Sequence, residues 1–319
     1  MSDTLRLRAR ALTWEAEGIL GIELVPLSRE TQLPPVEAGA HIELKLPNGL
    51  LRSYSLTNAT GERHRYCIAV NLDARSRGGS RWLHQALHAG AVLEVGVPRN
   101  HFALVEDAPL SVLIGGGIGI TPLLAMARRL TAIGRPWRLY YAARTKAGMA
   151  FVDELRQLAA RAVAELDLRA DEEGDAPLDL RAIVAAQPAG AHLYACGPAG
   201  LLDAFEAATA ALPRERVHLE RFTHAQAVAS DGGFTVVLAR SGLRVPVQPG
   251  QTVLDALLAA GADPMYSCRE GVCGTCETRV LRGTPDHRDL VLGEAEKAAG
   301  DRMMICCSGA LTPELELDL

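Results

Sequence analysis

Short runs in which apolar and polar residues alternate fill the first third of the chain: Leu5–Glu15, Leu20–Pro26, His41–Leu46, Leu51–Asn58, Tyr66–Leu72 and Val92–Val97. A period of two places successive side chains on opposite faces and predicts half-buried strands. Several such strands at regular spacing, with one short helix at Ser80–Ala89, predict a small antiparallel β-barrel over residues 1–107. From residue 108 the pattern changes. Strands at Ser111–Ile114, Trp137–Ala143, Leu166–Ala170, His192–Ala195 and Val217–Glu220 alternate with helical stretches at Pro122–Ile133, Phe151–Ala162, Leu180–Ala186 and Leu201–Leu212. That alternation predicts an α/β domain with a parallel sheet over residues 108–226. The small, polar segment Thr223–Gly233 has the composition of a linker. A third domain, 227–319, opens with a hairpin, Phe234–Ala239 and Leu243–Val247 around Arg240-Ser241-Gly242. A helix follows at Val253–Ala260, with Thr252 and Asp255 approximating a capping box and Gly261 at the C′ position.

Composition narrows the classes of function. Hydrophobic residues make up 48% of the 319 and charged residues 22%, enough for packed cores and too apolar for a disordered chain. A net charge of −5 excludes the basic surface that nucleic acid or an anionic membrane would require. The longest apolar run, Val112–Ala127, is shorter than the roughly 18 residues of a membrane span, and its glycines and Thr121-Pro122 suit a strand, a turn and a helix. Met1–Gly18 carries Asp3, Glu15 and Glu17 and does not read as a signal peptide, so a cytoplasmic protein is expected. Seven cysteines, an odd number grouped toward the C-terminus, do not form a secreted disulfide framework.

Those cysteines carry the strongest chemical signal. Cys268, Cys273 and Cys276 are spaced C-x4-C-x2-C, and further thiols stand far downstream at Cys306 and Cys307. This is the plant-type [2Fe–2S] ligand pattern. Four thiolates must converge on two irons from a tight loop, and Gly271 and Gly274 allow the chain to curl around them. Structural zinc is the competing reading, but it pairs two close cysteine knuckles, whereas here the fourth ligand stands alone. Spacing does not choose between Cys306 and Cys307.

Two further motifs suggest nucleotides. Val112-Leu-Ile-Gly115-Gly116-Gly117-Ile118-Gly119-Ile120-Thr121-Pro122 runs from a strand into a helix, with Thr121 a candidate N-cap and Pro122 a candidate first helical residue. Glycines there permit close approach of a phosphate to a helix N-terminus. A packing turn is the alternative, and the run is not the G-x-G-x-x-G dinucleotide fingerprint. In the strand Arg52-Ser53-Tyr54-Ser55-Leu56-Thr57, Arg52, Tyr54 and Leu56 share one side and Ser53 and Ser55 the other. A tyrosine there packs on a flat ring and an arginine pairs with a phosphate. Downstream, Arg75-Ser76-Arg77-Gly78-Gly79-Ser80 precedes a helix and forms a second candidate anion cradle. Alone, each motif is equally well strand surface or loop punctuation.

Together, Arg-x-Tyr-Ser-Leu, Gly-Gly-Ser, Gly-Gly-Gly-Ile-Gly-Ile-Thr-Pro, Tyr194-Ala195-Cys196-Gly197-Pro198 and the C-terminal cysteine pattern resemble the phthalate dioxygenase reductase family. This branch of the ferredoxin–NADP reductase superfamily includes vanillate O-demethylase reductases. The resemblance spans essentially the whole chain. It implies a flavin β-barrel, a nicotinamide α/β domain and an α+β, β-grasp-like ferredoxin domain, in that order. Asp286-His287-Arg288-Asp289 and Met304-Ile305-Cys306 also look like this family, whose last ligand follows a Met-aliphatic pair, and so favour Cys306. The resemblance implies FMN, where the residues alone would admit FAD. It puts Arg52, Ser53, Tyr54 and Ser55 on the flavin, Gly78, Gly79 and Ser80 near its phosphate, and Gly116, Gly117 and Thr121 beside the dinucleotide. Cys196, Gly197 and Pro198 would lie by the nicotinamide, although Cys196 reads equally as a structural thiol. Phe222 either packs on the flavin or is a core aromatic.

Charge argues for NADH over NADPH. The third strand of the α/β domain runs into Asp171-Glu172-Glu173-Gly174-Asp175, whose carboxylates repel a 2′-phosphate and accept from a ribose hydroxyl. Arg144 and Lys146, after the second strand, pull the other way. The expected chemistry needs no protein acid or nucleophile: hydride passes from NADH to the flavin, and electrons pass singly to the cluster. By family resemblance the acceptor is the Rieske centre of a terminal oxygenase, reached by a monomeric reductase. A cytochrome P450 or diiron monooxygenase partner is the alternative, and a non-catalytic redox sensor is a third reading that would leave two nucleotide sites without a use.

Overall fold

The computed structural model describes residues 4–47, 49–73, 78–222, 233–266, 269, 271, 274–289 and 291–319. Cys268, Cys273 and the Arg75-Ser76-Arg77 stretch lie outside the described residues, as does nearly all of the expected linker. The chain divides into two compact units, Met1–Phe222 and Thr223–Leu319.

In the first unit, alternation builds the barrel. Strands β1 (Thr4–Ala16), β2 (Ile19–Pro26), β3 (His41–Lys45), β4 (Leu51–Ser55) and β5 (Tyr66–Asn71) are followed by helix α1 (Gly79–Gln85) and strand β6 (Val92–Gly96). They pair antiparallel in the order β4-β3-β6-β1-β2-β5, and a bridge between Leu56 and Ile68 draws the two outer strands together. Leu7, Ile22, Leu24, Ile42, Leu44, Ile68 and Val95, each facing inward on its strand, fill the interior. Helix α1 stops four residues before the predicted end. Its last amides close on Trp82 C=O, and the Ala91 amide then bonds His88 C=O in a turn that Gly90 takes at φ 94°.

The same unit continues as β7 (Ser111–Gly116), α2 (Ile120–Ala132), β8 (Trp137–Ala143), α3 (Val152–Ala159), β9 (Ala164–Ala170), α4 (Leu180–Ala185), β10 (His192–Cys196), α5 (Ala199–Thr209) and β11 (Val217–Glu220). All five strands are parallel, in the order β11-β10-β7-β8-β9. Central β7 is buried throughout, as a parallel strand covered on both faces must be. Leu113, Trp137, Leu139 and Tyr141 pack on one face of the sheet with Leu123 and Leu124 of α2, and Val112, Ile114 and Leu193 pack on the other with Leu202 and Phe205 of α5. Barrel and sheet are tied at specific atoms. Arg128 of α2 forks onto Glu154 of α3 and also donates to the Thr57 carbonyl just past β4. The Val105 amide donates to the Tyr194 hydroxyl at 2.9 Å.

The second unit contains β12 (Phe234–Leu238), β13 (Arg244–Val247), α6 (Val253–Ala259), β14 (Glu277–Arg282), β15 (Pro285–Asp286), α7 (Glu294–Ala299), β16 (Arg302–Met304), β17 (Gly309–Ala310) and β18 (Glu314–Leu317). The main sheet runs β13-β12-β18-β14-β16, with β12 and β18 parallel. Val253, Leu254 and Leu257 of α6 join Val236, Val245 and Leu315 in its core. The cap expected at Thr252 is present: its hydroxyl accepts the Asp255 amide at 3.0 Å and donates to the Asp255 carboxylate at 2.7 Å. Gly261 follows the helix at φ 81°.

Candidate functional site

In an open parallel sheet, ligands lie beyond the carboxyl ends of the strands, where neighbouring connections leave in opposite directions. Here that point falls between β7 and β10, since the chain passes from β7 to β8 on one side and returns later to β10 on the other. Register assembles the edge. Cys196 stands opposite Gly115 on one side and Glu220 on the other, and Ala143 stands opposite Ala170. Gly116, Gly117, Arg144, Asp171, Cys196, Gly197 and Pro198, all expected at the dinucleotide, therefore lie along one sheet edge.

The glycine run works differently from the sequence expectation. A single turn of 3-10 helix over Gly117–Gly119 leads directly into α2, so the helix starts at Ile120. Thr121 is then inside the first turn rather than its N-cap, and Pro122 is the third helical residue rather than the first. The Thr121 hydroxyl donates to Ile118 C=O at 3.0 Å, back-bonding to the preceding turn. Gly119 is needed for packing, because a Cβ there would run into the Cys196 carbonyl. Gly117, at φ 52°, is the open one: a Cβ there would meet nothing within 4 Å.

The barrel contributes the end of β4. Ser53 is exposed, while Ser55 is buried and donates to the Glu220 carboxylate at 3.2 Å. Glu220 is the polar group that the sequence reading missed. Desolvation raises its carboxyl to about 8, against a smaller lowering by the Ser55 hydrogen bond. Burial also pushes the Cys196 thiol well up, with Glu220 adding to the effect. Burial likewise raises the Tyr54 phenol. Phe222, two residues beyond Glu220, packs half-buried against the cluster that contains Tyr194 and Cys196. At the other end of β4, a Cβ on Gly79 would stand 2.6 Å from Arg52 Nε, so the Gly78-Gly79 turn and the Arg52 guanidinium are in contact. Ser80 at the start of α1 accepts the Asp73 amide at 3.3 Å. An arginine against a side-chain-free turn fits a phosphate, and a neutral carboxyl, hydroxyl and thiol fit an uncharged ring system.

In the second unit, β-pairing brings distant cysteines together. Glu277 pairs with Met304, and the Ile305 amide reaches Cys276 C=O, so Cys276 and Cys306 sit on neighbouring strand ends. Both are buried and neither is in a disulfide. The neighbouring Cys306 and burial hold the Cys307 thiol far above the ordinary thiol range. Cys307 is enclosed: its sulfur points at Met304 C=O, 3.7 Å away, and a Cβ on Gly271 would press on it. Arg269, Gly271 and Gly274 all take positive φ, the tight curl that a cluster loop requires. Free buried thiols on such a loop fit an iron–sulfur centre.

Fold and site together define a pyridine-nucleotide-dependent electron-transfer reductase with an iron–sulfur domain. A family model described as an oxidoreductase NAD-binding domain matches residues 113–207, and one described as a 2Fe-2S iron-sulfur cluster binding domain matches residues 236–311. The chain is 53% identical to the phenoxybenzoate dioxygenase subunit beta of Ectopseudomonas oleovorans, over 98% of this chain and 97% of that one. It is 50% identical to the tetrachlorobenzoquinone reductase of Sphingobium chlorophenolicum, over 99% and 98%. Among solved structures, phthalate dioxygenase reductase superposes with a TM-score of 0.76 at 38% identity, covering 99% of this chain and 98% of that one. The chain belongs to the phthalate dioxygenase reductase family. It is an NADH-dependent oxidoreductase with a [2Fe–2S] cluster-binding domain.

Proposed function

We propose that the chain is the reductase component of an oxygenase system, supplying electrons from NADH to a separate terminal oxygenase that carries a Rieske centre. The single observation that carries this reading is full-length similarity to a protein named as a dioxygenase subunit, at 53% identity. A bound FMN would supply the coupling that a two-electron hydride donor and a one-electron acceptor require.

The chain's own groups bind and orient. Arg52 with the Gly78-Gly79 turn and Ser80 holds the FMN phosphate, and Ser53, Tyr54 and Ser55 line its ring. Gly116, Gly117 and Thr121 give the dinucleotide room beside α2, and Asp171 takes the ribose diol with Arg144 at its edge. Cys196, Gly197, Pro198 and Phe222 border the nicotinamide. Ser55 and Glu220 hold a proton beside the ring through the 3.2 Å bond described above. Cys268, Cys273, Cys276 and Cys306 hold the cluster. The domain limits that go with these roles are 1–107, 108–226 and 227–319. Among the described residues no helix is long and apolar enough to cross a membrane. A cytoplasmic monomer that meets its oxygenase in solution completes the reading.

The test is reconstitution. Purified holoprotein should reduce cytochrome c with NADH, and should support NADH-dependent turnover when mixed with a Rieske oxygenase. Cytochrome c reduction without turnover by any such oxygenase would remove the oxygenase reading. Similarity at 50% identity to a quinone reductase favours a second one, direct reduction of a quinone. Quinone-dependent NADH oxidation that survives loss of the cluster would support that reading instead.

A further inference from the structure

Two cations, Arg144 and Lys146, follow β8 beside a run of carboxylates after β9, and the structure shows how the charge of Lys146 is matched. One Glu173 carboxylate oxygen accepts the Lys146 amide at 2.7 Å, and the other lies 3.6 Å from Lys146 Nζ. The two loops are laced further by the Glu172 amide on Arg144 C=O at 2.9 Å. Within the first loop, Thr145 Oγ1 accepts the Gly148 amide at 3.2 Å. Glu173 is thus a positioned carboxylate, with one oxygen on the backbone and one beside the ammonium.

These loops leave the carboxyl ends of adjacent strands, where Ala143 stands opposite Ala170. That edge is where the adenosine ribose of a dinucleotide lies in sheets of this kind. A 2′-phosphate arriving there would be close to a dianion and would need a cation to meet it. Lys146 is a cation within reach of that edge, and Glu173 offsets its charge. Exposed Asp171 and Glu172 in the same turn add further negative charge.

We propose that the Glu173–Lys146 pair is a coenzyme-specificity determinant: Glu173 withholds Lys146 from the 2′-phosphate, and the chain thereby discriminates against NADPH. The proposal deepens the NADH reading of the same site and rests on it. The pair is too exposed to matter much to folding, with Lys146 71% and Glu173 37% accessible. Its consequence falls on ligand choice.

Glu173→Gln separates charge from architecture, because the amide oxygen still accepts the Lys146 N–H. The measurement is kcat/KM for NADPH relative to NADH with ferricyanide as acceptor, on holoprotein, together with competition against NADH by 2′,5′-ADP. The NADH arm also reports that each variant is folded. The ratio should rise by about two- to fivefold, the scale of one exposed ion pair, and 2′,5′-ADP should inhibit more strongly. Adding Lys146→Gln to Glu173→Gln should abolish both gains. An unmoved ratio overturns the proposal, and so does a gain that survives the loss of Lys146. A wild-type protein that used NADPH better than NADH would instead overturn the coenzyme reading and take the proposal with it.

Discussion

Glu220 gives the site a measurable pH signature. Its carboxyl titrates near 8 in the folded chain against a reference of 4.5. A raised carboxyl favours folding while it keeps its proton, so its contribution is complete below pH 4.5 and is lost as pH rises through 8. Integrating the linkage relation between those two values, the contribution falls by about 2.7 kcal/mol from pH 6 to pH 9 and is flat beyond. Glu220→Gln keeps an acceptor for the Ser55 hydroxyl and has no proton to lose. The readout is the stability difference between wild type and variant, because His192 and His218, whose values burial lowers, titrate alike in both. Urea unfolding of the holoprotein, followed through the fully buried Trp137, supplies that difference. With a slope of about 3 kcal/mol per molar urea, the midpoints should converge or cross by about 0.9 M between pH 6 and pH 9, with the variant gaining on wild type. A wild-type-minus-variant difference that stays constant over this range would refute the desolvated, protonated Glu220.

Three further outcomes are expected. Ser55→Ala removes the one hydrogen bond that favours the charged carboxylate, so the pH midpoint of the same stability difference should move upward; a downward move would contradict the geometry. Gly119→Ala drives a methyl into the Cys196 carbonyl and should cost roughly 1–3 kcal/mol in urea unfolding, whereas a variant as stable as wild type would remove the packing account of that glycine. Cys306→Ser should abolish iron content and visible cluster absorbance, while Cys307→Ala, which removes an enclosed thiol, should retain both; the reverse result would reassign the fourth ligand.

The elements were legible where burial imposes a period. Ile42 and Leu44 had to face inward on β3, and all of β7 had to be apolar between two helical layers. Helix ends were less legible. Thr121 has the chemistry of a cap, but a tight turn before it moved the start of α2 to Ile120. The glycine run is the strand-to-helix turn its composition suggests, yet Gly116 packs on Pro198 and Gly119 on the Cys196 carbonyl while Gly117 lines open space, a division that the neighbouring turn after β10 decides. Glu220 was the hardest to see. Ser55 is 165 residues away, and nothing local marks the carboxylate as unusual. The available signal was alternation on β11: His218 and Glu220 share a face, and parallel register sets them beside Tyr194 and Cys196.

That register also explains how the site tolerates the charge it handles. Hydride brings negative charge to the ring, and fixed carboxylates or thiolates beneath it would oppose the transfer. Burial removes both hazards by the same means. It keeps Glu220 protonated at pH 7 and raises the Cys196 thiol, so the groups at the ends of β10 and β11 are neutral. The Ser55 hydroxyl, donating to Glu220, is neutral as well. The carboxylates of this edge, Asp171, Glu172 and Glu173, stand instead beyond β9 at the far side of the sheet, the side proposed for the ribose. On the proposed reading, one sheet edge would present a neutral floor beside the flavin and an anionic rim where the coenzyme is chosen.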